Sequence, residues 1–411
     1  MPSHHPTNTV TFRQLATVSN FCLFAAVVSG ALLGLWDRMR LLPSYIFFFS
    51  FAAFSVMLFQ TILARPADQL GRLDLREQRG LALVTVIVSL LCVVSELTLI
   101  PWLKVPAGIL LAVAVASHAI RVWEGRTLPA IWRNVAWRFF VTDMLFLLVA
   151  AIGLAALGWK ETWPQFPLIP AFLRPSTVFL GASFPLTLTF TGYLYLFADQ
   201  NGGLSSIEHR MMDGWYYVLV GGVLLFLVVI LLDLRGMMQT LAIVLLAGVW
   251  AVTYLFARRL LRSPGAVHLL YGTIGLVGLL ATSAAGNALI ASRTPTIPAG
   301  ANPILLSHVH FAQLGWVCIS FWGIQYTLWT TLLAWDRRQP GWLPLGADYP
   351  LPARITAYLQ LVLAVGGVAL LSASHLLDDL ALMRVSGLMY AVATLLPLVI
   401  LRQLESATRP A

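Results

Sequence analysis

Two histidines separated by one residue, His308 and His310, stand at the start of a long apolar stretch that runs to about Trp335. Ionisable side chains are costly inside a membrane, and neutral imidazole is a common ligand of heme iron and of copper. Successive residues of an α-helix lie about 100° apart, so the two rings point to nearly opposite sides of their helix. This spacing predicts that each histidine serves a different partner, and that a regular helix does not let both chelate one metal ion.

Other polar residues inside apolar stretches extend this candidate site. The candidate cofactor ligands are His308, His310, His375, His268 and His118, and Glu96 and Gln313 are candidate supporting residues around them. Metal coordination is predicted most directly for His308 and for His310, each toward its own side of the helix. The alternative for each histidine is a ring that is hydrogen-bonded to water, lipid headgroups or backbone carbonyls.

The composition is that of a membrane protein. Of its 411 residues 59% are hydrophobic and only 10% are charged, and the mean hydropathy is +0.82; soluble globular chains are about 25% charged. The net charge of +9 comes from Lys and Arg that lie mostly between the apolar stretches, so it indicates membrane topology and no nucleic-acid partner. The first apolar stretch, from about Thr17, is followed at once by another, which favours a first membrane span over a cleaved signal peptide.

Helices that cross a bilayer core about 30 Å thick need about 20 apolar residues. We therefore predict an all-α fold with twelve transmembrane helices between a tail at 1–16 and a tail at 403–411, in one domain at 17–402. The predicted spans are at about 17–36, 43–64, 81–103, 105–122, 138–158, 176–198, 215–233, 238–257, 266–291, 304–335, 354–375 and 380–402.

Basic residues predict the orientation of these spans. Lys and Arg concentrate in the segments that lie inside if the N-terminus is inside, so both termini are expected in the cytoplasm. On this topology Glu96, His375 and the His308–His310 pair lie near the outer surface, and His118 and His268 lie near the inner surface. The expected location is the cell's inner (cytoplasmic) membrane, with the lipid bilayer as the main partner.

Local signals sharpen three of these elements. Asn302 followed by Pro303 predicts a capped start for the tenth span. A turn around Pro101 is expected to separate the third and fourth spans. The basic segment 124–137 is either an amphipathic interfacial helix or a plain loop. Gln325 is expected to bond to a neighbouring helix, and Tyr326 to anchor the membrane interface.

The pattern His308-Val309-His310, followed by Gly315 and Trp316, resembles the tenth helix of the catalytic subunits of heme–copper oxidases and nitric oxide reductases. The resemblance implies a twelve-helix bundle with both termini inside. It also implies that His308 is the axial ligand of a high-spin heme and that His310 ligates a low-spin heme. Two hemes flanking one helix suit the opposed directions of the two rings.

A longer order of residues is similar to the nitric-oxide-response heme- and copper-containing membrane proteins. It comprises Arg262-Ser-Pro, His268-Leu-Leu-Tyr271-Gly and the histidine pair, and it covers about residues 260–335. This likeness implies heme, of b-type, or copper as the cofactor. It also implies a role in respiratory electron transfer or in nitric oxide and metal handling, with other respiratory subunits as partners.

The chain departs from the oxidase pattern at three helices. The second span has no histidine, and Met57 and Gln60 are its only weak substitutes for a heme ligand. The sixth and seventh spans, at 179–197 and 215–233, have none of the ligands for copper or non-heme iron. The sequence therefore predicts one heme or one copper without a full binuclear centre, and leaves open whether any catalysis is retained.

Two other functions are compatible with the sequence. The segment Ala64-Arg-Pro-Ala-Asp68-Gln-Leu-Gly71-Arg72 resembles the loop between the second and third helices of major-facilitator transporters, although its first glycine is replaced by Ala64. Such a transporter has two related halves around a polar cavity at mid-membrane. The third function is a ligand-free scaffold subunit of a respiratory membrane complex.

Overall fold

The computed structural model is helical throughout the residues it describes. These residues are 7–35, 41–64, 75–165, 184–200, 203–232, 234–262, 266–292, 302–336 and 349–407. The segment 65–74, which carries most of the transporter-like motif, lies outside them, as do the ends of both predicted tails.

Thirteen helices of the described residues are named here in chain order, apart from the short segments Val28–Leu32 and Pro101–Leu103. They are α1 Thr7–Val27, α2 Leu41–Leu63, α3 Gln78–Thr98, α4 Lys104–Trp123, α5 Leu128–Arg133, α6 Val135–Thr162, α7 Phe184–Gln200, α8 Ser206–Leu231, α9 Arg235–Arg262, α10 Val267–Ala291, α11 Pro303–Asp336, α12 Leu351–Leu377 and α13 Leu380–Ala407.

Eleven of the described helices are long and apolar enough to cross a membrane. This confirms the prediction of a multi-pass, all-helical membrane protein. The predicted sixth span, 176–198, is described only from Phe184, where α7 has 17 residues. The short α5 lies in the basic segment and starts at an N-cap whose Thr127 hydroxyl accepts a hydrogen bond from the Ala130 amide.

Two helices extend beyond the predicted spans into the predicted tails. α1 begins at Thr7 rather than at Thr17, and α13 continues to Ala407 rather than ending at 402. The extension has a physical reason, because Arg13 and Glu405 form an ion pair with 2.6 Å between the Arg13 Nη1 and the Glu405 Oε2 atoms. A hydropathy window ends at such polar residues, whereas the helices do not.

One end of the bundle is held by a buried lysine. Lys104, at the start of α4, lies between Glu96 of α3 and Glu161 of α6, with its Nζ atom 2.7 and 2.6 Å from their carboxylate oxygens. The Tyr45 hydroxyl of α2 also donates to Glu96 at 3.2 Å. We call this the Lys104 end.

The opposite end is joined by other ion pairs and is called the Arg138 end. Arg138, early in α6, pairs with Asp213, early in α8. Arg121, late in α4, pairs with Glu77 just before α3. The Arg121–Glu77 pair requires α3 and α4 to run in opposite directions, and the Arg138–Asp213 pair requires α6 and α8 to run in the same direction. Both fit the predicted alternation of spans.

Among the eleven helices long enough to span a membrane, α2 and α11 are the most thoroughly buried. Both are interrupted by a widened π-helical segment, at Ile46–Ala52 in α2 and at Phe311–Cys318 in α11, and a third such segment, Val28–Leu32, follows α1. Segments of this kind occur often at functional sites. The segment in α11 begins directly after His310.

Glycines let α10 approach α11 closely. A Cβ atom on Gly278 would lie only 2.4 Å from the carbonyl carbon of Gly315. Real side chains do not approach a backbone so closely, so this pair of glycines sets the distance between the two helices. The position of His308 relative to α10 follows from it.

Candidate functional site

The start of α11 is built as the sequence predicts. The Asn302 side chain accepts hydrogen bonds from the amides of Ile304, at 2.9 Å, and Leu305, at 3.2 Å. The cap confirms the predicted N-terminus, and Pro303 supplies the first helical residue. Both candidate histidines therefore lie within the first turns of a helix whose start is fixed.

His308 faces α10. Its Nδ1 atom lies 2.8 Å from the Thr282 carbonyl oxygen. The ring also lies beside Gly286, where a Cβ atom would come within 3.1 Å of the His308 Cε1 atom. With Nδ1 donating to the carbonyl, Nε2 is the atom that remains to accept a proton or to coordinate a metal.

His310 faces α12 instead. Its Nδ1 atom is 3.2 Å from the Nε2 atom of His375, and the two ring planes are 13° from parallel with centroids 5.0 Å apart. The exposed fractions are 2% for His310 and 8% for His375. The predicted opposed directions of the two rings are therefore confirmed, and His375 is the side chain that His310 contacts.

His268 does not join this group. It lies at the start of α10, at the Arg138 end, where its ring contacts Phe197 and Tyr349. Its backbone lies against Gly323, about 20 Å along α11 from His310 at 1.5 Å per residue. The structure thus places this predicted ligand in an aromatic environment far from the histidine pair.

His118 and Gln313 also take no part in the contact between His310 and His375. His118 is buried near the Arg138 end of α4, and its Nε2 atom has no hydrogen-bond partner among the described residues. Gln313 lies inside the π-helical segment of α11 and is buried. Its place one turn below His310 keeps it a candidate supporting residue.

Glu96 is held by partners other than the histidines. It accepts from Lys104 and Tyr45 at the Lys104 end, on the side of the bundle formed by α2, α3, α4 and α6. The sequence showed that Glu96 and the histidines share a depth, but depth alone does not tell which helices are neighbours. Its role in the structure is to neutralise a buried lysine.

The contact between His310 and His375 has the dimensions of a metal-binding pair. Two imidazole nitrogens bound to one tetrahedral ion at about 2.0 Å lie about 3.3 Å apart. The same separation also suits a hydrogen bond between two neutral rings. Among the described residues no cluster of three or more His, Cys, Asp and Glu side chains suits a metal ion. The described side chains would therefore supply two ligand nitrogens, one from His310 and one from His375.

A heme does not fit between these two rings. Axial ligands on opposite faces of a porphyrin point at each other across it, whereas the rings of His310 and His375 touch and lie nearly parallel. A heme held by both His310 and His375 is therefore not supported by this geometry. The His308 Nδ1 atom is occupied by a carbonyl, which leaves Nε2 as the atom that could coordinate a cofactor.

No known protein family and no curated protein matches this chain. The site must therefore be interpreted from its own geometry.

Sequence reasoning did not foresee one polar cluster, in which Gln60, Asp143 and Thr189 meet. The three side chains come from α2, α6 and α7 and are each 0% exposed. The signal in the sequence was a single aspartate inside an apolar stretch. Nothing in the sequence indicated that Gln60 and Thr189 would surround it.

Proposed function

We propose that this chain is a copper-binding integral membrane protein, in which His310 and His375 hold the ion between α11 and α12. The observation that carries the proposal is the 3.2 Å separation of the two facing ring nitrogens in a buried position. Copper(I) accepts imidazole and is stable with three ligands, so His310 and His375 would bind it at a bent angle together with one further ligand, whereas protein zinc sites use three or four protein ligands. A site with two histidines therefore favours copper.

The second candidate ligand is heme, held by His308. The supporting observation is the contact between the His308 Nδ1 atom and the Thr282 carbonyl, which leaves Nε2 as the coordinating atom. The ring packs against Gly286, where a Cβ atom would come within 3.1 Å of it, so the glycine lets the ring lie against α10. Bound there, heme would supply the redox or gas-binding chemistry of its iron, while α10 would fix the ring that holds it.

The architecture we propose is a twelve-span bundle of the heme–copper oxidase type with both termini in the cytoplasm. In support, α7 has 17 residues within the predicted sixth span, and the ion pairs at the two ends fit an alternation of directions. The proposed setting is the inner membrane of the cell, beside respiratory subunits. Its role is electron transfer or the handling of nitric oxide and metal, without a binuclear centre.

Metal and heme analysis of purified protein tests this function. We expect one copper per chain, measured by mass spectrometry after reconstitution with Cu(I), and loss of that copper in His310→Ala and in His375→Ala. A pyridine hemochrome assay and a reduced-minus-oxidised spectrum determine whether heme is present.

Controls separate the two sites. His268→Ala removes a histidine far from the pair and should leave copper unchanged. His308→Ala should leave copper unchanged and remove any heme signal. Copper that stays stoichiometric in both His310→Ala and His375→Ala contradicts the proposal, and absence of both copper and heme from the wild-type protein leaves a ligand-free scaffold.

A further inference from the structure

A carboxyl group lies buried in the membrane-spanning part of the bundle, away from both candidate sites. Asp143 is in α6, about 12 Å along the helix axis from Val135 at 1.5 Å per residue. Its exposed fraction is 0%. The helix that carries it is 28 residues long and apolar enough to span a membrane, so Asp143 lies well inside it.

The neighbours of this carboxyl are neutral donors. The Gln60 amide donates from Nε2 to the Asp143 Oδ2 atom at 2.9 Å, and the Thr189 hydroxyl donates to the same oxygen. The Gln60 amide group also lies 3.0 Å from the Phe140 carbonyl oxygen. The reverse orientation of the amide would set its oxygen against the carboxyl and the carbonyl, so the network fixes its direction.

Two oxygen atoms of the cluster are left without donors. Asp143 Oδ1 and Gln60 Oε1 are both buried and have no hydrogen-bond partner among the described residues. Oδ2 already accepts twice. One additional hydrogen atom between Asp143 Oδ1 and Gln60 Oε1 would satisfy both oxygens. These two side chains already contact each other through Gln60 Nε2 and Asp143 Oδ2.

Charged groups around Asp143 are engaged elsewhere. On α6 itself Arg138 lies more than one turn away and pairs with Asp213 of α8. The described part of α2 carries no Lys, Arg, Asp or Glu, and in the described part of α7 the one such residue is Asp199, about 15 Å along the helix from Thr189.

One titratable group of α4 lies at the same depth. Lys104 of α4 abuts Gly158 of α6, and Gly108 abuts Ala151 and Ala155. Because the two helices are antiparallel, His118 lies level with Asp143. Its Nε2 atom is also buried without a partner among the described residues.

An ionised carboxylate in such a place, with no cation beside it among the described residues, costs far more than a neutral carboxylic acid. We propose that Asp143 is a proton-binding site within the membrane, where Gln60 and Thr189 hold the carboxyl in its protonated form. A proton bound to Asp143 Oδ1 makes this oxygen a donor. The Gln60 Oε1 atom, which has no partner among the described residues, is the acceptor that we assign to it. This site is independent of the proposed metal pair.

A group of this kind can take up and release a proton when the surrounding helices move. The bound ligand is a proton, and the competing ligand for the same oxygen atoms is a monovalent cation such as Na⁺. Carboxylate, amide, hydroxyl and carbonyl oxygens would all suit such a cation. The experiment must therefore distinguish a proton from a metal ion.

Infrared spectroscopy of the purified full-length chain in lipid nanodiscs at neutral pH provides the test. We expect a C=O stretching band of a protonated carboxylic acid, which shifts slightly on transfer to D₂O. The band should be lost in Asp143→Asn, whose amide keeps the size of the acid and can donate to Gln60. The band should persist in Asp213→Asn, a control that removes a carboxyl at the bundle end.

A second variant protects the test against misfolding. Thr189→Val keeps the carboxyl and removes one donor to Oδ2, so the band should remain and change frequency. His118→Gln tests the group at the same depth and should also retain the band.

Two results would overturn the proposal. A carboxylic-acid C=O region that is the same in the wild-type protein and in Asp143→Asn would show that Asp143 carries no proton. A band that is present in choline buffer and disappears on addition of NaCl would show that the site holds a monovalent cation instead.

Discussion

The histidine pair of α11 and α12 and the carboxyl cluster of α2, α6 and α7 are two solutions to the burial of ionisable groups. His310 and His375 come from helices that are consecutive in the chain, and their nitrogens meet directly at 3.2 Å. Asp143 meets Thr189 of the next helix and Gln60 of the distant α2, and one oxygen each of Asp143 and Gln60 has no donor among the described residues. The first arrangement suits an ion shared by two neutral rings, and the second suits a proton.

The largest expected effect separates the two regions by ligand. His375→Ala should weaken Cu(I) binding by at least about 100-fold, because a lost coordinating atom costs more than the 10- to 100-fold typical of a residue that only orients a ligand. Asp143→Asn should leave copper affinity unchanged. Competition titration with a Cu(I) chelator measures both, and equal weakening in the two variants would show that the regions are coupled.

The histidine arrangement of α11 could be predicted from the sequence, whereas the carboxyl cluster could not. The spacing of His308 and His310 gave their opposed directions, and Asn302-Pro303 gave the start of α11; the structure confirms both. It also confirms the expected interhelical bond of Gln325, which accepts from Asn20 at 3.1 Å. These features follow from local helix geometry.

Features that depend on which helices are neighbours could not be derived. Glu96 and the histidines share a depth but belong to different sides of the bundle. Tyr326 was expected at the membrane interface, and this was wrong, since it is fully buried and donates to Gln360 at 2.6 Å. Hydropathy gives the depth of a residue along its helix and does not give the lateral arrangement of helices.

Helix spacing gives a second way to test the comparison. Gly278→Ala places a Cβ atom against the backbone of Gly315 and should lower stability by about 1–3 kcal/mol through overpacking. The shift of α10 should disturb His308 and leave the carboxyl cluster intact. Thermal unfolding in detergent measures the loss, and the carboxylic-acid band measures the integrity of the cluster.

A matched glycine provides the control for that variant. A Cβ atom on Gly221 of α8 meets nothing within 4 Å. Gly221→Ala should therefore be neutral or should stabilise the protein by up to about 1 kcal/mol, because alanine favours the helix. Equal destabilisation in both variants would contradict the close approach of α10 and α11.

The stability of the protein should depend on whether the residue at position 143 can still accept hydrogen bonds. Asp143→Ala leaves the Gln60 amide and the Thr189 hydroxyl without their acceptor and should cost about 1–3 kcal/mol. Asp143→Asn retains an acceptor and adds a donor, so its cost should stay under about 1 kcal/mol. Unfolding midpoints in a denaturing detergent compare the two, and a larger loss in the asparagine variant would argue for a charged carboxylate.

The smallest expected effect concerns the second histidine of α11. His308→Phe keeps the ring and removes the hydrogen bond to the Thr282 carbonyl, so stability should fall by about 0.5–1.5 kcal/mol. Copper affinity should not change, since the ring faces α10. A decrease in copper as large as that of His375→Ala would mean that both histidines of α11 hold one ion.

The widened segment Phe311–Cys318 gives α11 a property that a uniform helix lacks. A widened turn accommodates one residue more than an α-helical turn, so rewinding it swings everything above it by about 100° around the helix axis. Both histidines lie above it. Such a rewinding would carry the His310 ring off His375 and would turn His308 away from Thr282 in the same movement. The backbone hydrogen-bonding pattern of this segment therefore determines the direction of both imidazole rings. Deletion of one residue from the segment would change that direction permanently.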